Sequence, residues 1–257
     1  MSKGAALITG ASSGIGAELA RVCASDGYGL ILVARRVDRL AELAAGLAKT
    51  YGIQARALAA DLSDPAAPQE IFEQTRSDRV EILINNAGFG LRGPFAQTDW
   101  AVEARLIQVN VTSLVHLTKL YLPEMLRRRE GRILNVASTA AFVPGPLMAM
   151  YYASKAFVLS FSESVANEVK GSGVTVTVLC PGPTRSEFGE AAGISDSKLF
   201  KGAMMQADEV ARIGYRAMMA GKAEVIAGAR NRWMMLGTRL APRTMLAAVT
   251  RRLNSGD

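Results

Sequence analysis

Among its 257 residues the chain has a single histidine, His116, and only two cysteines, Cys23 and Cys180. Each scarcity closes off a chemistry. A Ser-His-Asp hydrolase would have to rely on His116, which lies in an apolar helical pattern with Val115, Leu117 and Leu120 and reads as a core residue. A metal centre needs clustered histidines or cysteines, which the sequence lacks. Two scattered cysteines make no disulfide framework. Cys23 on the first helix and Cys180 at a strand end are expected as small buried apolar groups, consistent with a reducing cytoplasm. No apolar run reaches eighteen residues, so a spanning helix is not expected. Met1-Ser2-Lys3 leads directly into the first strand and leaves no room for a signal peptide.

Acidic residues are scarce at one end only. Residues 227–257 hold Arg230, Arg232, Arg239, Arg243, Arg251 and Arg252 against Asp257 alone, and so carry five of the seven net positive charges. The remainder is nearly balanced. No helix-turn-helix, zinc or RNA-recognition pattern accompanies the charge, and no nucleic-acid partner is expected.

What is present is an alternation of strand-length apolar runs with helical patterns. Strands are expected at 5–9, 29–34, 54–59, 81–85, 132–137, 174–179 and 223–227. Helices are expected near 15–26, 37–50, 66–76, 99–129, 151–170 and 207–220. Strand runs rich in Val, Ile and Leu indicate a parallel sheet covered on both faces, an α/β doubly wound, three-layer architecture. With 49% apolar residues the chain can bury one large core, here assigned to residues 1–228, with 229–257 as a basic helical tail.

Polar and glycine-rich punctuation falls at the carboxyl ends of these strands, where open parallel sheets bind ligands. Thr9-Gly10-Ala11-Ser12-Ser13-Gly14-Ile15-Gly16 follows the first strand. Gly10 permits a tight reversal, while Gly14 and Gly16 remove side chains so that backbone amides can face a bound group. The helix opening near Ile15 adds positive dipole charge suited to a pyrophosphate. Ala17 stands where a phosphate-binding loop of the GxxxxGK type would need Lys, and an ordinary turn is the plainer alternative. Arg35-Arg36 follow the second strand, where a free ribose 2′-hydroxyl would call for a carboxylate; guanidiniums suit a 2′-phosphate and hence NADPH, unless they are only a solvated helix start. Asp61-Leu62 follow the third strand, with Asp61 placed either to accept from an adenine amino group or to cap a helix.

Tyr151 and Lys155 lie one helical turn apart on one face. A free tyrosine is a weak acid at neutral pH; a neighbouring ammonium stabilises its phenolate, and a cationic nicotinamide ring would add to that effect. Ser138 supplies a hydroxyl able to orient and polarise a substrate oxygen. Tyr152 lies next door but has no lysine four residues on.

These motifs, taken together, resemble the short-chain dehydrogenase/reductase family in its branch of about 250 residues. The matching features are Thr-Gly-x-x-x-Gly-x-Gly at 9–16, Asn-Asn-Ala-Gly at 85–88, Asn110, Ser138, Tyr151-x-x-x-Lys155 and Pro181-Gly182, spread over about residues 3–225. The resemblance implies a Rossmann-like fold with seven parallel strands, hydride transfer between nicotinamide C4 and a carbonyl or alcohol carbon, and a homodimer or homotetramer. It further implies that Asn110 holds a water linking Lys155 to solvent, that Lys155 bonds the nicotinamide ribose, and that Thr184 reaches the nicotinamide carboxamide. Asn86, Ala87 and Gly88 are implied against the adenosine side, and Pro181 and Gly182 beside the nicotinamide. Ser13 stands where some NADP-preferring members have a basic residue.

Substrate choice is expected to rest on Phe142–Met150 and on the stretch near 183–206. Phe142, Leu147, Met148, Phe188, Leu199, Phe200, Met204 and Met205 suggest an apolar pocket, or simply helix packing. The expected activity is an NADPH-dependent reduction of an apolar ketone, aldehyde or 3-oxoacyl thioester; the alternative is a non-catalytic NADP-binding sensor or scaffold. In the tail, Arg230–Leu240 and Arg243–Leu253 read as two amphipathic helices divided at Pro242. They are expected to pack over the cleft or across a subunit interface rather than on a membrane surface, with Trp233 as an anchor in either case.

Overall fold

A computed structural model describes residues 3–202 and 204–255; Met1, Ser2, Ala203, Gly256 and Asp257, including parts of the expected substrate stretch and tail, lie outside the described residues. The chain runs β1 (Ala5–Thr9), α1 (Gly14–Ser25), β2 (Gly29–Ala34), α2 (Val37–Tyr51), β3 (Ala55–Ala59), α3 (Ala67–Gln74) and β4 (Val80–Asn85). Then come α4 (Trp100–Ile107), α5 (Leu114–Arg128), β5 (Gly131–Val136), α6 (Ala149–Glu168) and β6 (Val174–Cys180). Beyond β6 lie β7 (Thr184–Arg185), α7 (Phe188–Ala191), α8 (Lys198–Lys201), β8 (Met205–Gln206) and α9 (Ala207–Met219). The chain closes with β9 (Glu224–Ile226), α10 (Ala229–Thr238) and α11 (Arg243–Asn254).

Seven strands form one parallel sheet in the order β3-β2-β1-β4-β5-β6-β9. This is the doubly wound, Rossmann-like fold, and its order reverses direction between β1 and β4. Alternation along each strand builds the three layers. Ala6, Ile8, Leu30, Leu32, Ile82 and Ile84 face α1, α2 and α9. Leu7, Ile31, Val33, Leu83 and Ile133 face α3, α5 and α6 on the other side. Successive side chains of a strand are thus buried on opposite faces, which is why the runs read as continuously apolar.

The helix expected over 99–129 exists but is not uniform. Asp99 caps its start by accepting from the Ala101 amide at 2.9 Å, and a π-helical turn over Gln108–Ser113 separates α4 from α5. Such insertions re-aim side chains locally and are common at functional sites. Here the turn carries Asn110. Its neighbour Ser113 donates to the Leu62 carbonyl at 2.8 Å and so fixes the segment after β3.

Two short strands and two short helices after β6 escaped the sequence pattern. β7 and β8 pair across the segment through Thr184–Met205 and Arg185–Gln206, too few residues to leave a period. Both cysteines are buried, as expected. His116, expected as a core residue, is only half-buried.

Candidate active site

The turn after β1 is stitched to the turn after β4. The Thr9 hydroxyl accepts from the backbone amides of Asn86 (3.0 Å) and Ala87 (3.1 Å), and the Asn86 side-chain amide donates to the carbonyls of Thr9 (3.0 Å) and Gly10 (3.2 Å). Gly10 sits at φ 65°, a left-handed position that disfavours any side chain. Ser12, Ser13, Gly14 and Ile15 then line a cavity over the carboxyl ends of the strands. Gly16 does not. A Cβ there would lie 2.4 Å from the Gly10 carbonyl oxygen, so this glycine lets α1 seat on the turn instead of clearing space for a ligand, which corrects the sequence reading. No side chain caps the start of α1, and its first amides are left for another acceptor.

The cavity has a volume of about 1040 Å³. Besides the glycine turn it is lined by Arg35, Arg36, Asp61, Leu62, Asn86, Ala87, Gly88, Ser138, Tyr151, Lys155, Pro181, Gly182 and Thr184. Every candidate catalytic or cofactor-binding residue except Gly16 and Asn110 therefore borders one space.

The arginines behave differently from one another. Arg36 donates to Ser12 Oγ (3.1 Å) and Ser13 Oγ (2.9 Å), which aims its guanidinium along the glycine turn. Arg39, one helical turn later, converges with Arg36 on the carboxylate of Glu187. Arg35 instead acts on Asp61. Burial works against the Asp61 charge, yet hydrogen bonds from the Ser63 backbone and hydroxyl, with Arg35 and Arg105, hold its pKa below the usual carboxylate value. Asp61 Oδ1 accepts from the Ser63 amide at 3.0 Å in a local turn, not as the helix cap offered as its alternative, while also bordering the cavity. Neither Arg39 nor Glu187 was singled out from the sequence. Arg39 could have been, from its i+3 spacing to Arg36; Glu187 has no local signal.

At the opposite end, α6 carries Tyr151 and Lys155 into the cavity floor. Burial raises the Tyr151 phenol well above its ordinary pKa, and a hydrogen bond with Ser138 pulls the other way. Ser138 Oγ itself accepts from the Ala140 amide at 3.1 Å, which fixes the hydroxyl on the end of β5. Lys155 is 5% exposed and donates to the Val136 carbonyl at 2.9 Å. Burial lowers its pKa to about 8. Its Nζ lies 5.9 Å from the centre of the Tyr151 ring. Desolvation of this phenol, whose ring packs against Phe188 and Tyr152, is the largest influence on its pKa.

Asn110 stands behind this floor. Its Oδ1 accepts from the Phe89 amide, and its Nδ2 donates to the Phe89 carbonyl (3.0 Å) and to Ser154 Oγ (3.1 Å). A side chain so engaged braces α6 against the turn after β4. Gly88 lies between them: a Cβ there would come within 3.1 Å of Asn110 Oδ1 and 3.3 Å of Lys155 Nζ.

The two adjacent tyrosines have separate surroundings. Tyr152 packs its ring on Gly145, where a Cβ would meet Cγ at 2.0 Å, and donates its hydroxyl to Asn254 Oδ1 at 3.0 Å. Its hydroxyl is committed to α11, whereas Tyr151 lines the cavity with Ser138.

The substrate side differs in part from expectation. Met148, Phe188, Leu199 and Phe200 line the cavity. Phe142 packs beneath it with Val158 and Cys180, and Leu147 takes a left-handed backbone (φ 69°) whose carbonyl accepts from the Gly93 amide. Met205 belongs to β8 and touches Asn231, and Met204 does not border the space. The apolar wall is completed by the tail: Met234, Met235, Leu246, Val249 and Leu253. Trp233, expected as an anchor, is 73% exposed. Among the described residues no helix is long and apolar enough to cross a membrane.

A family model described as short chain dehydrogenase matches residues 4–195. Sulfoacetaldehyde reductase 2 of Chromohalobacter salexigens is 36% identical over 91% of this chain and 94% of its own. A short-chain dehydrogenase from Sphingobium yanoikuyae, solved in complex with NADPH, superposes with a TM-score of 0.84 at 35% identity over 99% of both chains. The bulky-bulky ketone specific alcohol dehydrogenase from Comamonas testosteroni gives 0.80 at 30% identity over 93% of both. Other relatives are longer, and this chain spans 52–60% of their length.

Proposed function

The chain belongs to the short-chain dehydrogenase/reductase family, and from that premise we propose that it is an NADPH-dependent oxidoreductase interconverting an apolar carbonyl compound and its alcohol. One observation carries the reading. Tyr151, one helical turn from Lys155, lines with Ser138 the same cavity as the glycine turn and Arg36.

The groove fits a phosphorylated dinucleotide. The uncapped start of α1 suits a pyrophosphate, and Arg36 and Arg39 already hold an anionic group, the Glu187 carboxylate. The cavity reaches the upper end of the ~300–1,000 Å³ typical of small-molecule sites, which suits a cofactor and substrate together.

When bound, the reduced nicotinamide supplies hydride to the carbonyl carbon. Tyr151 gives its phenolic proton to the carbonyl oxygen. Ser138 donates toward the same oxygen and fixes its position. The Lys155 ammonium, with its pKa near 8, stabilises the phenolate left behind and would hydrogen-bond the ribose of a bound cofactor. Asn110 acts as a positioning residue through Phe89 and Ser154. Thr184, which lines the cavity with Gly182, would hold the nicotinamide carboxamide.

The substrate class follows from the lining. The charged residues bordering the cavity are Arg35, Arg36, Asp61, Arg105 and Glu187 toward the adenosine end, and Lys155 at the floor. The wall built from Phe188, Phe200 and the tail offers no cation for a sulfonate, so bulky apolar ketones, aldehydes or 3-oxoacyl thioesters fit better than sulfoacetaldehyde. Loss of NADPH absorbance across such a panel tests this. Turnover is expected to be highest with bulky apolar carbonyls. Tight NADPH binding without turnover anywhere would favour a sensor or scaffold instead, and sulfoacetaldehyde as the best substrate would overturn the lining argument.

A further inference from the structure

Glu187 lies on the segment after β6, between β7 and α7, yet its side chain reaches the far end of the crevice. Its Oε2 is 2.7 Å from Arg36 Nη1, and its Oε1 is 2.6 Å from Arg39 Nη1. The neighbouring Ser186 rests on the glycine turn, where a Cβ at Gly14 would come 3.1 Å from Ser186 Cβ. Farther along, Asp196 pairs with Arg92 at 2.8 Å, so the segment is tethered on both sides of the cavity. Hydrogen bonds from Arg39 and then Arg36 hold the Glu187 carboxyl at a pKa of about 2, and it stays ionised at any working pH.

Two guanidiniums converging on one anion, with Ser12 and Ser13 steadying the first, make a receptor for a phosphate as much as for a carboxylate. Resting on the assignment of Arg36 to the cofactor's 2′-phosphate, we propose that Glu187 is an internal occupant of the 2′-phosphate site and a determinant of cofactor affinity. A carboxylate brings one negative charge and a phosphate close to two, so a 2′-phosphate displaces Glu187 from both arginines. A cofactor without that phosphate leaves the two ion pairs in place. Binding of the phosphorylated cofactor therefore releases one of the two tethers of the segment that carries Phe188 and Phe200, and the unphosphorylated one does not.

The pairs are about half exposed, so each contributes modestly and the competition is set by mass action. The test is calorimetric titration of the full-length protein with adenosine 2′,5′-bisphosphate and with 5′-AMP, for the unmodified chain, Glu187→Gln and Arg36→Ala. Glu187→Gln should bind the bisphosphate about three- to tenfold more tightly and 5′-AMP unchanged. Unchanged or weaker bisphosphate binding by this surface variant, with its thermal midpoint intact, overturns the proposal. Arg36→Ala separates the underlying assignment: it should lose most of the bisphosphate's advantage over 5′-AMP. If the unmodified chain shows no such advantage, the 2′-phosphate assignment fails and takes the proposal with it.

Discussion

Tyr152 donates its hydroxyl to Asn254 Oδ1 at 3.0 Å, and Asn254 Nδ2 donates in turn to the Pro146 carbonyl at 3.0 Å. One buried amide near the end of the chain thus holds both the helix that carries Tyr151 and the loop that precedes it. The inner face of α11 contributes Leu246, Val249 and Leu253 to the substrate cavity, so this pair sets the position of the cavity roof. Burial raises the Tyr152 pKa.

Replacing Asn254 with Ala should leave the Tyr152 hydroxyl buried and unpaired, at a cost of about 1–3 kcal/mol. The expected result is a lower thermal midpoint and a raised KM for bulky carbonyls, with kcat on small ones little changed. Equal loss of kcat on every substrate would mean that the contact acts on Tyr151 rather than on the roof.

Tyr151→Phe should reduce turnover by about 10²–10⁴-fold while cofactor binding, followed by NADPH fluorescence, stays near its original strength. The hydroxyl transfers the proton and does not hold the nucleotide. A variant keeping a tenth of the activity would remove Tyr151 from the role of acid.

Cofactor preference should depend on Arg36 and Arg39 more than on Arg35, because the first two share one anion while Arg35 acts on Asp61. Losing a charge-assisted pair costs about 1.5–3 kcal/mol, or roughly ten- to a hundredfold in affinity. Arg36→Ala with Arg39→Ala should erase most of the preference for NADPH and leave NADH affinity nearly unchanged. Comparing dissociation constants for the two cofactors decides it, and an equally large effect from Arg35→Ala would restore the pair expected from sequence.

Lys155 has its pKa lowered from 10.5 to about 8 by burial, a displacement equivalent to about 3 kcal/mol of charge held in a dry site. Between those two values the unfolded chain binds a proton that the folded one does not, so stability of the cofactor-free protein should rise with pH from about 8 toward 10.5. Below about 8 the full cost is present. Lys155→Met should therefore raise the thermal midpoint at pH 7 while abolishing turnover, and it should flatten this part of the pH–stability curve. A lower midpoint at pH 7 would show that the bond to Val136 outweighs the buried charge.

The sheet and most of the site were legible because they are written in local patterns. Apolar runs set strands and their two buried faces, and the polar residues that follow each run fall at the carboxyl ends by chain geometry alone. The Tyr151 and Lys155 spacing fixes one helix face whatever surrounds it.

Tertiary structure decided what depends on residues far apart in sequence. Glu187 meets Arg36 and Arg39 across some 150 positions, and Asn254 meets Tyr152 across 102. Neither pairing leaves a periodic trace. Gly16 looked like part of a phosphate cradle until the Gly10 carbonyl was found where its side chain would be. The burial of Tyr151 was hidden for the same reason: the neighbouring lysine is visible in the pattern, but the packing of Phe188 and Tyr152 against the ring is a property of the folded chain.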